Sequence, residues 1–311
     1  MKKVFIDGSS GTTGLRIRER LEARNDIEIM TIDENKRKDN DEKKKFLNSC
    51  DIAFLCLPDD AARESVAMIH NPDVVVFDTS TAHRTDANWT YGFPELSDKH
   101  YDAVKASKRI AVPGCHASGF IALVYPLVEA GILPKDALLT CHSLTGYSGG
   151  GKKMIAEYEE EAGEYTKAPR QYGITQQHKH LKEMAAISGI DNAPVFSPIV
   201  ADFYSGMQVT VPLFKQQLNP GYGIEDIKKV YAQKYTGPMV VYNEQLQKDG
   251  FINSNALKMK DCMNVAAYGN DDRIILVAVY DNLGKGASGA AIECMNISMG
   301  AEITFGLDIG M

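Results

Sequence analysis

Cys115 has the surroundings of a nucleophile. It lies in Val112-Pro113-Gly114-Cys115-His116-Ala117-Ser118-Gly119, between a strand-like run (Arg109–Val112) and a helix expected over Ala117–Val128. Amide dipoles at a helix N-terminus favour a thiolate, the reactive form of cysteine. Cys50, Cys56, Cys262 and Cys294 lack this setting and read as small buried space-fillers. A working thiolate needs a partner that exchanges protons near neutrality, and histidine is that residue. Among seven histidines, His178-Lys179-His180, in the polar run Gln176–Glu183, forms the one close pair. Two residues apart on a helix, their imidazoles point in different directions, so one is expected to face a site and the other solvent or substrate. His116 adjoins the thiol in sequence, but neighbours along a helix turn apart.

A second group of residues suits phosphate. Gly8-Ser9-Ser10-Gly11-Thr12-Thr13-Gly14 follows a strand-like run and opens a helical one. Such glycines let the backbone turn tightly and approach a pyrophosphate, whose charge meets free amide hydrogens and the helix dipole. Gly8, Ser10, Gly11, Thr12, Thr13 and Gly14 are the expected contacts of a dinucleotide. Asp33 stands where ribose hydroxyls would be held, yet Lys36-Arg37-Lys38 follows at once, and a cation such as Arg37 suits the extra phosphate of NADP. Basic clusters in general, Lys43-Lys44-Lys45 included, read as solvated surface. Ser80 and Arg84 follow a further strand at the carboxyl edge where such sheets bind ligands, Arg84 as a candidate anion binder. Two more glycine clusters, Thr145–Lys152 and Asp281–Gly289, also follow strands. Their amides, with Ser148, Gly149, Gly150 and Asn282, are candidates for the nicotinamide end of the cofactor, and Lys152 and Lys285 add positive charge.

These residues need a frame. Val4–Ile6, Ile27–Ile32, Ile52–Leu57, Val74–Phe77 and Arg109–Val112 read as strands. Helical patterns over about 12–24, Lys43–Ser49 and Ala61–His70 separate them, which is the signature of βαβ units on a parallel sheet. From about residue 138 longer strands take over: Ala137–Leu144, Val195–Ala201, Met207–Phe214, Val265–Tyr268 and Ile274–Tyr280. Fewer helices are expected between them, which suggests a mixed or antiparallel second domain. Ala287–Met299, rich in Ala and Met, is a helix candidate able to pack back onto the first domain.

Length and charge narrow the classes of function. At roughly 100–200 residues per domain, 311 residues suggest two domains. With 44% apolar and 24% charged residues, disorder, collagen and coiled coil are poor readings. Lys and Arg number 34 against 41 Asp and Glu, a net charge of −7 that disfavours nucleic acid and anionic membranes, so small molecules are the expected partners. No stretch approaches the roughly 20 apolar residues of a membrane span, and the N-terminus has no signal-like apolar core. Six scattered cysteines without a CxxC pair fit a reducing cytoplasm, and no metal site is expected.

Ordered blocks of sequence complete the reading. Val4–Gly8 with Gly11–Leu15, Cys56–Glu64, Ser80–Arg84, Tyr91–Leu96, Pro113–Cys115, Gly146–Lys152, His178–Leu181 and Asp281–Ala290 resemble the shorter form of the N-acetyl-gamma-glutamyl-phosphate reductase family, over nearly the whole chain. The resemblance implies a Rossmann-type NADP-binding domain, expected at 1–116 with 285–311. It also implies an α+β catalytic and oligomerisation domain with a mixed or antiparallel sheet, expected at 117–284, and hence a homo-oligomer. The implied activity is NADPH-dependent reduction of N-acetyl-glutamyl 5-phosphate to the 5-semialdehyde with release of phosphate, in arginine biosynthesis. Cys115 takes the place of the family's nucleophile, and its histidine falls within His178-Lys179-His180, with His180 favoured and His178 open. Arg84 and Ser118 are the expected substrate contacts. His116-Ala117-Ser118 replaces the Tyr-Pro-Thr often found after the nucleophile, and Lys182 stands where proline is common. A thioester route fits these residues independently of the family. The rival readings are an aspartate-semialdehyde dehydrogenase, which shares the two-domain plan, and a non-catalytic NADP-binding regulator.

Overall fold

The computed structural model describes residues 1–36 and 39–310; Arg37, expected at the cofactor's extra phosphate, and Lys38 lie outside the described residues. The chain divides into two units, Met1–Pro113 with Ala287–Leu307, and Gly114–Gly286 with the tail from Asp308.

In the first unit β1 (Lys2–Asp7), α1 (Thr12–Glu22), β2 (Ile27–Met30), α2 (Asn40–Ser49), β3 (Ile52–Leu55), α3 (Asp59–Met68), β4 (Val75–Asp78), β5 (Thr90–Tyr91), α4 (Asp98–Ala106) and β6 (Arg109–Ala111) follow in order. The six strands are parallel in the order β2-β1-β3-β4-β6-β5. Alternation along the strands sends Val4, Ile6, Phe54 and Phe77 to one face, against Ile17 and Leu21 of α1 and Val104 of α4. Phe5, Ala53, Leu55 and Val76 go to the other, against Leu47 of α2. Both faces are covered, which is why β3 reads as an unbroken apolar run. Asp59 and Asp60 lie inside the first turn of α3, so that helix begins two residues before the expected Ala61. The helix α4 has no counterpart among the expected elements.

The second unit holds α5 (Cys115–Glu129), β7 (Thr140–Gly146), α6 (Gly151–Glu159), α7 (Glu164–Lys167), β8 (Arg170–Gln171), α8 (His180–Ser188), β9 (Val195–Ala201), β10 (Met207–Phe214), α9 (Ile224–Lys234), β11 (Val240–Tyr242), β12 (Met263–Gly269) and β13 (Arg273–Tyr280). Its mixed sheet runs β11-β12-β13-β10-β7-β9-β8, with β7–β9 and β11–β12 parallel and the other neighbours antiparallel. In β10, Met207, Val209, Val211 and Leu213 are buried while Gln208, Thr210 and Pro212 are half-buried, the alternation of a strand with one packed face. Helix α5 packs closely on that face: a Cβ at Gly119 would stand 2.6 Å from a Val209 methyl. The strand expected at Ala137–Leu144 starts at Thr140, because the Ala137 N–H closes a turn on the Pro134 carbonyl (3.2 Å). Four helices, α6 to α9, stand between strands where few were expected. In α9 the burial of Ile224, Ile227 and Tyr231 follows a helical period.

The last helix, α10 (Gly289–Met299), belongs to the first unit. Ala290, Ala291, Ile292, Cys294, Met295 and Ile297 join the core of Val4, Ile17, Phe54 and Phe77. The helix is buried on nearly every side, Glu293 and Asn296 included. Among the described residues no helix is long and apolar enough to cross a membrane.

Candidate active site

Gly114, extended at φ −76° and ψ 143°, caps α5 without a side-chain bond, and Cys115 is the first residue of the helix. The helix thus begins two residues before the expected Ala117, which puts the half-buried thiol in the first turn, where the dipole favours its anion. Two side chains hold this turn. The Gly114 N–H donates to Glu183 Oε1 (2.8 Å), and the Tyr280 hydroxyl donates to the Cys115 carbonyl while accepting from the Gly119 N–H (3.0 Å). Burial pushes the thiols of Cys50 and Cys56 up to about 12 and raises those of Cys141 and Cys262, so these four stay protonated near neutrality.

The histidine pair does not behave as its spacing suggested. Only His180 lies in α8; His178 precedes the helix, and its Nδ1 accepts the His180 N–H (3.2 Å). The two rings therefore meet edge to face with centroids 4.7 Å apart, and both lie 5.7 Å from His116. Instead of facing opposite ways, both imidazoles join one cluster with His116, Tyr172 and Phe196. His116 is bonded at both nitrogens, Nδ1 to Ser143 Oγ (2.7 Å) and Nε2 to Tyr172 Oη (2.6 Å). Burial and then the nearby His178 hold His116 down at about 3, so its ring is neutral. Burial, then the Lys179 charge, also lowers His178. Burial, then the Cys115 charge, raises the Tyr172 phenol.

Sequence reasoning gave no role to Glu183, Ser143 or Tyr172, and set His116 aside. For Glu183 a signal was present. It stands three residues after His180, so both fall on one side of α8, and both are buried, at 2% and 5% exposure. For the others, contacts to His116 span 27 and 56 residues of sequence and leave no local pattern.

A neutral, buried His116 makes stability depend on pH. In the unfolded chain this ring titrates near 6.5; folded, at about 3. Below about pH 6.5 the unfolded state binds a proton that the folded state refuses, so stability falls as pH drops toward 3. Between pH 6.5 and 4.5 the loss from this group is on the order of 2 kcal/mol. Denaturant unfolding at a series of pH values is expected to show a shallower acid slope in His116→Gln, by about one proton. Equal slopes would mean that His116 takes up its proton while folded.

The phosphate-binding residues lie in the first unit. Gly8 has φ +86°, a left-handed conformation that favours glycine, and its carbonyl accepts the Gly11 N–H (3.0 Å). A Cβ at Gly14 would stand 2.4 Å from the Gly8 carbonyl oxygen, so the turn closes only with glycine there. At the start of α1, Gly11 supplies no side-chain cap, and the hydroxyl of Thr12 is buried without a partner among the described residues. Free amides and an unpartnered hydroxyl at a helix N-terminus are what a pyrophosphate needs, so these residues fit a dinucleotide. Beside them a cleft of about 880 Å³ is lined by Gly8, Ser9, Ser10, Arg18, Asp33 and Lys43 among others. Lys43 was expected on the solvated surface; its side chain is 16% exposed and its Nζ lies 3.3 Å from Asp7 Oδ2.

Other expected site residues have structural bonds. Arg84 is buried, and its Nε and Nη2 donate to the carbonyls of Val112 and Thr79 (both 2.9 Å), a brace for the loop after β4. Ser118 is also buried and donates to the Gly114 carbonyl one helical turn back (3.1 Å). Ser80 donates to Asp78 Oδ2 (2.8 Å), an oxygen that His83 Nδ1 also approaches (2.7 Å). In the second unit Asn282 joins the expected cofactor loop together: its Nδ2 donates to Ser148 Oγ (3.0 Å) and its Oδ1 accepts the Gly206 N–H (2.9 Å), with Gly149 packed against it.

Comparison with known proteins agrees with this division of labour. Residues 3–104 match the semialdehyde dehydrogenase NAD binding domain, and 115–282 match the semialdehyde dehydrogenase dimerisation domain. Among curated relatives, N-acetyl-gamma-glutamyl-phosphate reductase of Trichormus variabilis is 44% identical, covering 98% of this chain and 99% of that one. That of Sinorhizobium medicae is 43% identical over 96% and 99%, and N-acetyl-gamma-glutamyl-phosphate reductase 2 of Pseudomonas putida 41% over 96% and 97%. Solved structures of aspartate semialdehyde dehydrogenase from Francisella tularensis (TM-score 0.72, 14% identity, 96% of this chain and 99% of that one) and Vibrio cholerae (0.69, 15%, 96% and 98%) share the fold. At such identity they speak for architecture only, whereas the curated relatives reach the level of a family. The chain belongs to the semialdehyde dehydrogenases, and within them to the N-acetyl-gamma-glutamyl-phosphate reductase family.

Proposed function

We propose that this protein reduces N-acetyl-glutamyl 5-phosphate to N-acetyl-glutamate 5-semialdehyde with NADPH, releasing phosphate, as a step of arginine biosynthesis. The observation that carries the reading is the setting of Cys115, a thiol in the first turn of α5, with its backbone held by Glu183 and Tyr280. The Cys115 sulfur attacks the acyl carbon; the C–S bond forms as the bond to the phosphate oxygen breaks, leaving a thioester and inorganic phosphate. When bound, NADPH would supply the hydride, and protonated His180 the proton, that together turn the thioester into a hemithioacetal. His180, in the first turn of α8, takes the hydroxyl proton as the C–S bond breaks, which frees the aldehyde and returns the thiolate. His178 holds the His180 backbone and so fixes the entry to α8.

Gly8, Ser10, Gly11, Thr12, Thr13 and Gly14 are the residues proposed to hold the pyrophosphate. Arg18 and Lys43, which line the cleft beside Asp33, add to Arg37 as the cations that favour NADP over NAD. In the second unit Ser148, Gly149 and Gly150, with Asn282 bracing their loop, are candidates for the nicotinamide end, as Ser80 is in the first unit. A homo-oligomer is supported by the match to a dimerisation domain and by apolar side chains left open on its sheet: Val195, Phe214 and Ile275 are 59, 60 and 43% exposed. None of the six cysteines, all described, is in a disulfide, which supports a cytoplasmic site of action.

The reaction run in reverse tests the proposal. NADP reduction is expected with N-acetyl-glutamate semialdehyde and phosphate, and not with aspartate semialdehyde and phosphate. Activity only with the aspartyl aldehyde would move the assignment to aspartate-semialdehyde dehydrogenase. Silence with both while NADPH still binds would mean a regulator.

A further inference from the structure

The partner of His178 settles where its ring proton sits. A backbone N–H can only donate, so the hydrogen bond from the His180 N–H (3.2 Å) requires a bare Nδ1. The imidazole is therefore neutral, with its single proton on Nε2. The bond spans two residues, the reach over which an Asn or Asp side chain closes a turn on its own backbone, and here an imidazole takes that place. It falls where α8 needs it. The helix starts at His180, its N-cap Lys179 makes no side-chain bond, and the His178 carbonyl accepts the Leu181 N–H (3.0 Å). One residue thus satisfies two of the amides that a helix start leaves open. A charge on this ring is opposed by its surroundings. Protonation would turn Nδ1 from acceptor to donor, facing the His180 N–H. The positive end of the α8 dipole repels a cation, and Lys179 follows directly. Burial acts in the same direction. The other titratable groups facing the ring are His180 (centroids 4.7 Å apart), His116 of α5 (5.7 Å) and Tyr172 after β8 (6.1 Å), while Glu183 in the first turn of α8 holds the Gly114 N–H.

We propose that neutral His178 is the side-chain cap of α8 and a positioning residue for His180, and that a proton on His178 releases the first turn of the helix. The capping part stands on geometry alone; the positioning part rests on His180 being the acid–base group. Release would reach further than one imidazole. Glu183 lies in the same turn and anchors the Gly114 N–H at the head of α5, so the cap supports the placement of Cys115 as well.

The test is amide hydrogen exchange of the intact protein from pH 5 to 8, without substrate or cofactor, corrected for the intrinsic pH dependence of exchange. A peptide covering the start of α8 is compared with one from the middle of α5, which reports opening of the whole unit, the contribution of His116 included. In the parent, protection of the α8 start relative to α5 is expected to fall about fivefold as the pH drops from 8 to 5. His178→Asn offers an oxygen that accepts the same N–H at every pH, so its relative protection is expected to stay flat. His178→Ala is expected to show the low value throughout. Turnover in the reverse reaction at pH 7 is expected to drop about tenfold in His178→Ala and to recover most of that loss in His178→Asn. Relative protection in the parent that ignores pH, or a His178→Ala profile that superimposes on it, overturns the cap. If His178→Ala does not fold, parallel profiles of the parent and His178→Asn overturn it equally. Lost protection with parental turnover in His178→Ala overturns the positioning role. A parent silent in the reverse reaction is a different failure, that of the proposed activity, and the exchange measurement still decides the cap.

Discussion

Replacing Cys115 by serine is expected to remove turnover by about 10⁴-fold or more while leaving NADPH binding unchanged. Serine keeps the size and the first-turn position, so the backbone bonds to Glu183 and Tyr280 survive. What it removes is a group that ionises within reach of neutrality: a hydroxyl in the same place is a far weaker nucleophile than a thiolate and forms an ester instead of a thioester. No other cysteine can substitute: Cys50, Cys56, Cys141 and Cys262 are held protonated by burial, and Cys294 is sealed in the core of the first unit. Cofactor fluorescence separates the chemical role from a structural one. Equal loss of turnover and of NADPH binding in Cys115→Ser would mean that this thiol supports the fold and not the reaction.

His180→Asn is expected to lower kcat by about 10²–10³-fold in both directions of the reaction, the range for loss of a general acid–base group. Asparagine retains a polar side chain of similar reach, so α8 and the Glu183 bond to Gly114 stay in place. The pH profile of kcat is the readout that packing damage alone would not move: the limb belonging to the imidazole is expected to vanish, and KM to change little. His178→Asn is the companion measurement. A near-parental His180→Asn with a crippled His178→Asn would transfer the proton role to His178.

What the sequence disclosed follows the range of the interactions. The turn from β1 into α1 was legible because much of it is local: Gly8 takes a left-handed φ of +86°, and a Cβ at Gly14 would meet the Gly8 carbonyl oxygen six residues back. The covered parallel sheet was legible because strands such as β3 leave unbroken apolar runs. Helices α6 and α7 were not, since one starts within a glycine cluster and the other is four residues long. Around Cys115 the sequence indicated the thiol and the histidine pair but not their neighbours. Glu183 reaches Gly114 across 69 residues and Tyr172 reaches His116 across 56, pairings that only the tertiary fold creates. The opposed orientation expected of His178 and His180 failed for one reason: the helix begins between them.

The return of α10 to the first unit has a consequence for how the molecule is made. Its Ala290, Ile292, Met295 and Ile297 complete a core begun by Val4 and Ile17, yet a ribosome must first deliver everything from Gly114 to Gly286. Until then one face of the parallel sheet is covered by α1 and α4 alone, although the strands that form it emerge early. Birth order and assembly order are therefore reversed for this face, and the earliest part of the chain is the last to be sealed. Premature termination anywhere before Gly289 leaves the part of that face under α10 uncovered, so truncated chains are bound for aggregation or degradation instead of persisting as a free dinucleotide-binding fragment.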